Sequence, residues 1–580
     1  VKVKTMRSSG RIFLVAAGLA ALQQAAAQAV LPTVTVEAER CSNAAIGAPV
    51  DVREIGEPVS AVKLDQIQWY PATEKTAALC VVEGQLLPVD KSSTARPIRF
   101  AVGMPAAWNR RSIHQGGGGM NGTVPQFAPN PQRPAFPGAP PSDVSRGFAV
   151  YGSDSGHGVQ DTEWALNDEA IRNFGYAQLK KTHDVAQILI RRFYSASPQY
   201  RYFIGTSQGG REALTVAQRY PADYHGVAAN VPVLALNSLM QAPAAIRRHE
   251  NALSMHVPQA KGKAIAAEFM RQCDALDGLD DAVINNYMAC RAIFDVNDGK
   301  GTKSPWAMRR CPDGRDPAPD DTSENACLTD GQIDTLQFIF SRQPFGHQRA
   351  HGTKAFGMWL PSTEVIVGGL PPASGNALLN DIRYQGQEGA AAGARVFGSL
   401  GSPGLTGFLL KDLAANPLTY AESPANVARQ KQLSEWLDSN DPDLRDFARR
   451  GGKMIVAIGT NDTLASPGAQ LDYYAALTKR LGERQLDRFA RLYVLPQRGH
   501  GLQGNSYALS GSGKAVTVAP LPSQFDRLTM LQKWVEQNAA PEKSVVVTGA
   551  GGASGLMCSY PQHAHYTSGA PNQASAWQCR

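Results

Sequence analysis

Gly205-Thr206-Ser207-Gln208-Gly209 follows the apolar run Tyr202-Phe203-Ile204 and precedes Arg211-Glu212-Ala213-Leu214-Thr215-Val216-Ala217, so the stretch reads as strand, tight turn and helix. The pattern G-x-S-x-G lifts a serine out of such a turn, because glycines on either side remove the Cβ atoms that would clash in it. The helix that begins there aims its free N–H groups and positive dipole end at the same point. Ser207 is therefore the expected nucleophile, and the Gln208 N–H an expected oxyanion donor. Five residues match by chance often enough that the surroundings must carry the reading.

Upstream, His114-Gln115-Gly116-Gly117-Gly118-Gly119-Met120-Asn121-Gly122 follows the strand-like Ile98-Arg99-Phe100-Ala101-Val102, with Trp108 and a turn between them. Consecutive glycines cost backbone entropy and pack nothing, which points to a close approach; the alternative is a flexible surface loop. The second oxyanion donor is expected here, at Gly117 or within one or two residues of it. Downstream, Gly452 to Gly459 reads as a buried strand ending in Thr460-Asn461-Asp462, and Leu492-Tyr493-Val494-Leu495-Pro496 leads to His500. Ser207, Asp462 and His500 thus fall in the chain order of an α/β-hydrolase triad. The alternatives are an Asx-turn for Asp462 and a plain loop histidine for His500.

The interval from Ser207 to Asp462 exceeds a few βα units. The expected fold is α/β, an α/β-hydrolase core with a large inserted lid domain: core at 30–232, lid at 233–440, core again at 441–580. Helical patterns at Ala260 to Cys273 and Leu328 to Phe340 lie among Pro- and Gly-rich loops at Pro305 to Asp321 and Gly368 to Asn376. The Pro-rich Pro125 to Pro141 reads as a surface excursion.

Residues 1–29 carry Lys2, Lys4, Arg7 and Arg11, an apolar run and Ala27-Gln28-Ala29, the form of a signal peptide, which implies a secreted or periplasmic protein. A formal charge of +7, four units of it in that segment, gives no reason to expect nucleic acid, and no later stretch is apolar enough to span a membrane. Oligomeric state is left open. Eight cysteines, all beyond residue 40, suit an oxidising compartment. Near-neighbour pairing (Cys41 with Cys80, Cys273 with Cys290, Cys311 with Cys327, Cys558 with Cys579) is a hypothesis, since spacing alone does not fix connectivity.

Inside the expected lid, Asp274, Asp277, Asp280 and Asp281 crowd around Gly278. Such carboxylates repel one another unless solvated or shared by a cation, and oxygen-only ligands favour Ca²⁺ over zinc. Asp274, Asp277 and Asp281 are candidate carboxylate ligands, with Leu279 and Val283 through backbone oxygens. No closing glutamate makes this an EF-hand, and the alternative is an exposed acidic turn.

Together with these marks, Tyr202 to Arg211, Arg219-Tyr220-Pro221-Ala222-Asp223-Tyr224-His225-Gly226, Cys327-Leu328-Thr329-Asp330-Gly331-Gln332 and Cys558-Ser559-Tyr560-Pro561 resemble the tannase and feruloyl esterase family over nearly the whole chain. The resemblance implies hydrolysis of small aromatic esters by a Ser-Asp-His triad under a lid with structural calcium on the five residues above. It also implies a disulfide between the residue before the serine and the residue after the histidine. Here those positions hold Thr206 and Gly501, so packing and hydrogen bonds must hold the triad instead. Phe356, Trp359, Phe397 and Phe408 are candidates for an aryl-binding surface, or equally for lid core. Other readings are hydrolysis of aliphatic hydroxyacid oligomers and non-catalytic ligand binding.

Overall fold

The computed structural model describes residues 1, 31–74, 76–127, 142–300, 303–364, 383–396 and 403–580. The expected signal segment beyond Val1, the 368–376 loop, Phe397 and most of the 125–141 tract lie outside them.

Eleven strands form one sheet: β1 (Ala61–Tyr70), β2 (Leu79–Leu87), β3 (Ile98–Pro105), β4 (Arg111–Gln115), β5 (Ala149–Ser153), β6 (Tyr200–Thr206), β7 (Gly226–Asn230), β8 (Lys453–Gly459), β9 (Ala490–Leu495), β10 (Ser544–Thr548) and β11 (Ser554–Ser559). Their spatial order is β10-β11-β9-β8-β7-β6-β4-β5-β3-β2-β1. The six from β5 to β9 run parallel, and antiparallel pairs flank them on both sides. The swap of β4 and β5 and the parallel run from β6 to β9 are the α/β-hydrolase arrangement. Both faces of the parallel strands are covered, which is why their sequences read as continuous apolar runs. Phe203, Val227, Val456 and Leu492 pack on one face with Leu214, Leu471 and Leu477. Tyr202, Ala228, Ile455 and Tyr493 pack on the other with Leu531 and Trp534.

The strand leading into the glycine loop is β4, not the Ile98–Val102 strand read from sequence. Arg111-Ser112-Ile113-His114-Gln115 looks polar, yet Ser112 and His114 are buried, and His114 Nδ1 pairs with the Tyr224 hydroxyl at 2.7 Å. A buried polar pair hides the periodicity of a central strand.

Strands β7 and β8 are sheet neighbours, but the chain between them is long and, among the described residues, adds no strand to the sheet. It carries five main helices, α1 (Leu236–His249), α2 (Gly262–Cys273), α3 (Tyr287–Phe294), α4 (Asp330–Phe340) and α5 (Pro424–Leu437). Thr329 and Gln332 start α4 with a reciprocal capping box, as the Thr-x-x-Gln spacing dictates. Phe269, Phe294, Trp306 and Leu336 of this insertion share one buried cluster with Phe203 and Val227 of the sheet. The insertion is therefore fastened to the core by continuous apolar packing rather than resting on it as a loose flap.

All four near-neighbour cysteine pairs are disulfides, and no free cysteine is found among the described residues. Each loop closed this way restricts the unfolded chain by about 3 kcal/mol or more. No helix among the described residues is long and apolar enough to cross a membrane.

Candidate active site

Ser207 sits between β6 and the helix Gln208–Arg219 at φ 61° and ψ −118°, a conformation that a non-glycine residue holds only under external restraint. The restraint is visible. Its N–H donates to the Asn230 carbonyl at 2.9 Å, and its carbonyl accepts the Arg211 and Val233 N–H groups at 3.0 and 3.3 Å. A Cβ on Gly205 would stand 2.2 Å from the Gly209 backbone, and one on Gly210 would stand 2.5 Å from the Asn230 carbonyl. Gly205 is the motif's first glycine, and its second, Gly209, would put a Cβ 2.8 Å from the Gly117 carbonyl, so both are required by close approach, as is Gly210 just beyond the motif.

Asp462 follows β8 and His500 follows β9, so both lie at the same sheet edge as Ser207. His500 Nδ1 pairs with both Asp462 carboxylate oxygens, at 3.0 and 2.9 Å. Asp462 is 1 % exposed, and its Oδ1 also accepts the Leu464 and Ala465 N–H groups at 2.9 and 2.8 Å. It is thus an Asx-turn and a histidine partner at once; the turn fixes the carboxylate that orients the ring. Ser207 and His500 are half-buried and not hydrogen-bonded to each other in this structure. A serine–histidine contact of this kind commonly tightens only when substrate arrives.

The glycine loop requires a correction. Gly117 N–H donates to the buried Glu212 carboxylate at 3.0 Å, so that proton is directed away from any oxyanion. A Cβ on the next residue, Gly118, would meet nothing within 4 Å, so that residue borders open space and its N–H is the remaining candidate donor. Gln208 begins its helix, where an N–H has no intrahelical acceptor.

With Thr206 and Gly501 in place of a disulfide, the histidine loop is held by Gln497. Its N–H donates to Thr460 Oγ1 (2.7 Å), its amide nitrogen to the Ala282 and Asn505 carbonyls (2.9 and 3.0 Å), and its amide oxygen accepts the Ile284 N–H (3.0 Å). The sequence reading missed this residue, since a lone glutamine in a loop carries no motif.

Glu364, also missed, lies beside the dyad. Its Oε2 stands 3.0 Å from where a Cβ on Gly499 would be, and burial followed by the Asp462 charge lifts its carboxyl to about 7. A carboxyl raised above its unfolded value of 4.5 takes up a proton on folding, so its effect on stability is most favourable below that value and declines as pH rises to about 7. Glu364→Gln is expected to raise the melting temperature at pH 8 by about 1–3 °C and leave it unchanged near pH 4, read by scanning fluorimetry at the two pH values.

The acidic loop is largely internal. Asp274 accepts the N–H groups of Ala282, Val283 and Gly511 (2.9, 3.1 and 2.7 Å). Asp277 accepts those of Leu279 and Asn285 and the Asn285 amide (3.1, 3.1 and 2.8 Å). Asp281 Oδ1 is buried with no partner. Burial lifts Asp274 to about 6 and Asp277 to about 7; burial and then the Asp274 charge lift Asp281 to about 7. Asp280 turns outward and accepts from Ser510 and Ser512, tying this loop to the segment after His500.

The three described aromatic candidates are core. Phe356 and Trp359 are each 4 % exposed, and Phe408 is fully buried against Trp164 and Phe174. Large aromatics in an insertion that shares its core with the sheet pack inward before they face a ligand.

A model of the family described as tannase and feruloyl esterase matches residues 80–580. An uncharacterized esterase of Agrobacterium fabrum is 29% identical over 500 residues, covering 84% of this chain and 82% of that one. The mono(2-hydroxyethyl) terephthalate hydrolase of Piscinibacter sakaiensis is 27% identical over 576 residues, covering 90% and 89%. The crystal structure of an esterase from Aspergillus oryzae superposes with a TM-score of 0.68 at 20% identity, over 93% of this chain and 99% of that one. With the α/β-hydrolase sheet and elbow in place, the chain belongs to the tannase and feruloyl esterase family and is a carboxylic ester hydrolase.

Proposed function

We propose that this enzyme is a secreted esterase acting on small aromatic carboxylic esters through Ser207, His500 and Asp462. The observation that carries the reading is the Asp462–His500 pair at the sheet edge that also presents the strained Ser207. His500 Nε2 accepts the Ser207 hydroxyl proton as Oγ attacks the ester carbonyl, and Asp462 holds the ring through Nδ1. The Gln208 and Gly118 N–H groups receive the developing oxyanion. The proton then passes from His500 to the leaving alkoxide as the C–O bond breaks, leaving an acyl group on Ser207. Water, deprotonated by His500, attacks that acyl group, and as the bond to Oγ breaks His500 returns the proton to Ser207, releasing the carboxylic acid.

The aromatic preference follows the family and the terephthalate-ester relative, and residues 233–440 are read as the lid that sets it. Steady-state kinetics with methyl gallate, methyl ferulate, a terephthalate monoester and a 3-hydroxybutyrate dimer test it. At least one aryl ester is expected to exceed the dimer in kcat/KM by about 10²-fold or more, the scale on which pocket contacts discriminate; preference for the dimer rejects the aromatic reading.

We further propose that the acidic loop holds a structural Ca²⁺ ion. All its donors are oxygens, and Asp281 Oδ1 is a buried acceptor without a partner. Asp274, Asp277 and Asp281 would hold the ion through carboxylates and Leu279 and Val283 through backbone oxygens. The ion would supply charge compensation, not ester chemistry.

A further inference from the structure

An oxyanion donor stabilises charge only if its N–H is already aimed when the charge develops, yet Gly116-Gly117-Gly118-Gly119 has no side chain with which to fix itself. The buried polar groups behind the loop form a connected ring. Glu212, 1 % exposed and one turn beyond Gln208, accepts the Gly117 N–H through Oε2 (3.0 Å) and the Gln178 amide through Oε1 (3.1 Å). Gln178 Oε1 accepts the Ser153 hydroxyl at 2.6 Å. Asn121 donates its amide to the Ser153 carbonyl (3.1 Å) and the Ser155 hydroxyl (2.6 Å), and its own N–H to the Gly118 carbonyl (2.7 Å). Asn121, Ser153, Ser155 and Gln178 are all buried.

The peptide unit between Gly117 and Gly118 is therefore held by both neighbours: the unit before it through Glu212, the unit after it through Asn121. A Cβ on Gly209 would stand 2.8 Å from the Gly117 carbonyl, so that oxygen rests against the nucleophile helix. In a trans peptide the following N–H points the opposite way. The Gly118 N–H is thereby turned to the open side of the loop.

We propose that Glu212 is a positioning residue that pre-aims the Gly118 N–H at the oxyanion through this ring; the inference rests on the serine-esterase reading above. Glu212 does not touch substrate. What it supplies is a buried acceptor of the right reach on the same helix that follows the nucleophile, so the two halves of the oxyanion site are registered against one rigid element.

The test compares wild type, Glu212→Gln, Glu212→Leu and Gln178→Met in steady-state hydrolysis of a preferred aryl ester. Each is also assayed for inhibition by an arylboronic acid, which forms a tetrahedral adduct on the serine, and by the plain aryl carboxylate, which does not. Glu212→Leu is expected to lower kcat by about 10²-fold with KM within about threefold, and to weaken the boronate but not the carboxylate. Glu212→Gln keeps an acceptor for Gly117 but turns its NH2 toward the Gln178 NH2, so it is expected to hold kcat within about 10-fold of wild type, well above Glu212→Leu. An unchanged kcat in Glu212→Leu, or equal weakening of both inhibitors, overturns the proposal. If Glu212→Leu does not fold, Gln178→Met decides by the same criteria, with about a 10-fold kcat loss expected. Wild-type ester turnover without fluorophosphonate labelling of Ser207 would instead sink the underlying serine reading.

Discussion

Replacing Ser207 by alanine is expected to cut ester turnover by about 10⁴- to 10⁶-fold while the melting temperature stays within about 2 °C of wild type. The nucleophile is a small half-buried hydroxyl, and the contacts that hold its strained backbone come from main-chain atoms of Asn230, Arg211 and Val233, which alanine retains. Removing it deletes the acyl-enzyme route but leaves the oxyanion donors and the dyad, so a residual rate over water is expected. Turnover in initial-rate assays, with thermal unfolding as control, separates loss of chemistry from loss of fold. A mutant that keeps full turnover rejects Ser207 as nucleophile.

Removing the proposed calcium is expected to have the second largest effect, on stability and turnover together. An ion held at about 100 times its dissociation constant favours the folded state by about 2.7 kcal/mol. Chelation is therefore expected to lower the melting temperature by roughly 2–3 °C. The acidic loop is also joined to the histidine segment: Gly511 N–H reaches Asp274, Ser510 and Ser512 reach Asp280, and Gln497 bridges Ala282 and Ile284 to Thr460. Loosening that loop slackens His500, so kcat should fall at temperatures where the fold still persists. Asp281→Asn gives a test of sign. With calcium bound, the substitution removes a ligand and destabilises; without calcium, it relieves repulsion from Asp274 and stabilises. Thermal scans with calcium and with chelator should cross in opposite directions. Elemental analysis finding no calcium, with melting temperatures indifferent to it, rejects the site.

What could be read from sequence followed from local geometry. The elbow glycines and the apolar parallel strands are legible from local pattern, and the cysteines, 16 to 39 residues apart, pair with their near neighbours as the sequence reads. The chain order serine, aspartate, histidine brought the Asp462–His500 pair into view because the acid and the base each end a buried strand. What escaped was set by contacts across the chain. Strand β4 was obscured by Ser112 and His114, whose burial depends on Tyr224. The sequence points to Gly117 because nothing local reveals that Glu212 claims its proton. Glu364 and Gln497 act only through the fold that brings them beside Gly499 and Ala282. Phe356, Trp359 and Phe408 have the composition of a binding surface, and only packing shows them to be core.

The central claim is that Ser207 is the activated nucleophile of this esterase. Reacting the intact protein with a fluorophosphonate and mapping the modified peptide by mass spectrometry tests it most directly. The account predicts a single adduct on Ser207, absent in Ser207→Ala and formed at least about 10²-fold more slowly in His500→Ala, because the general base is gone. An adduct on another residue, or none on a preparation that hydrolyses esters, would contradict it.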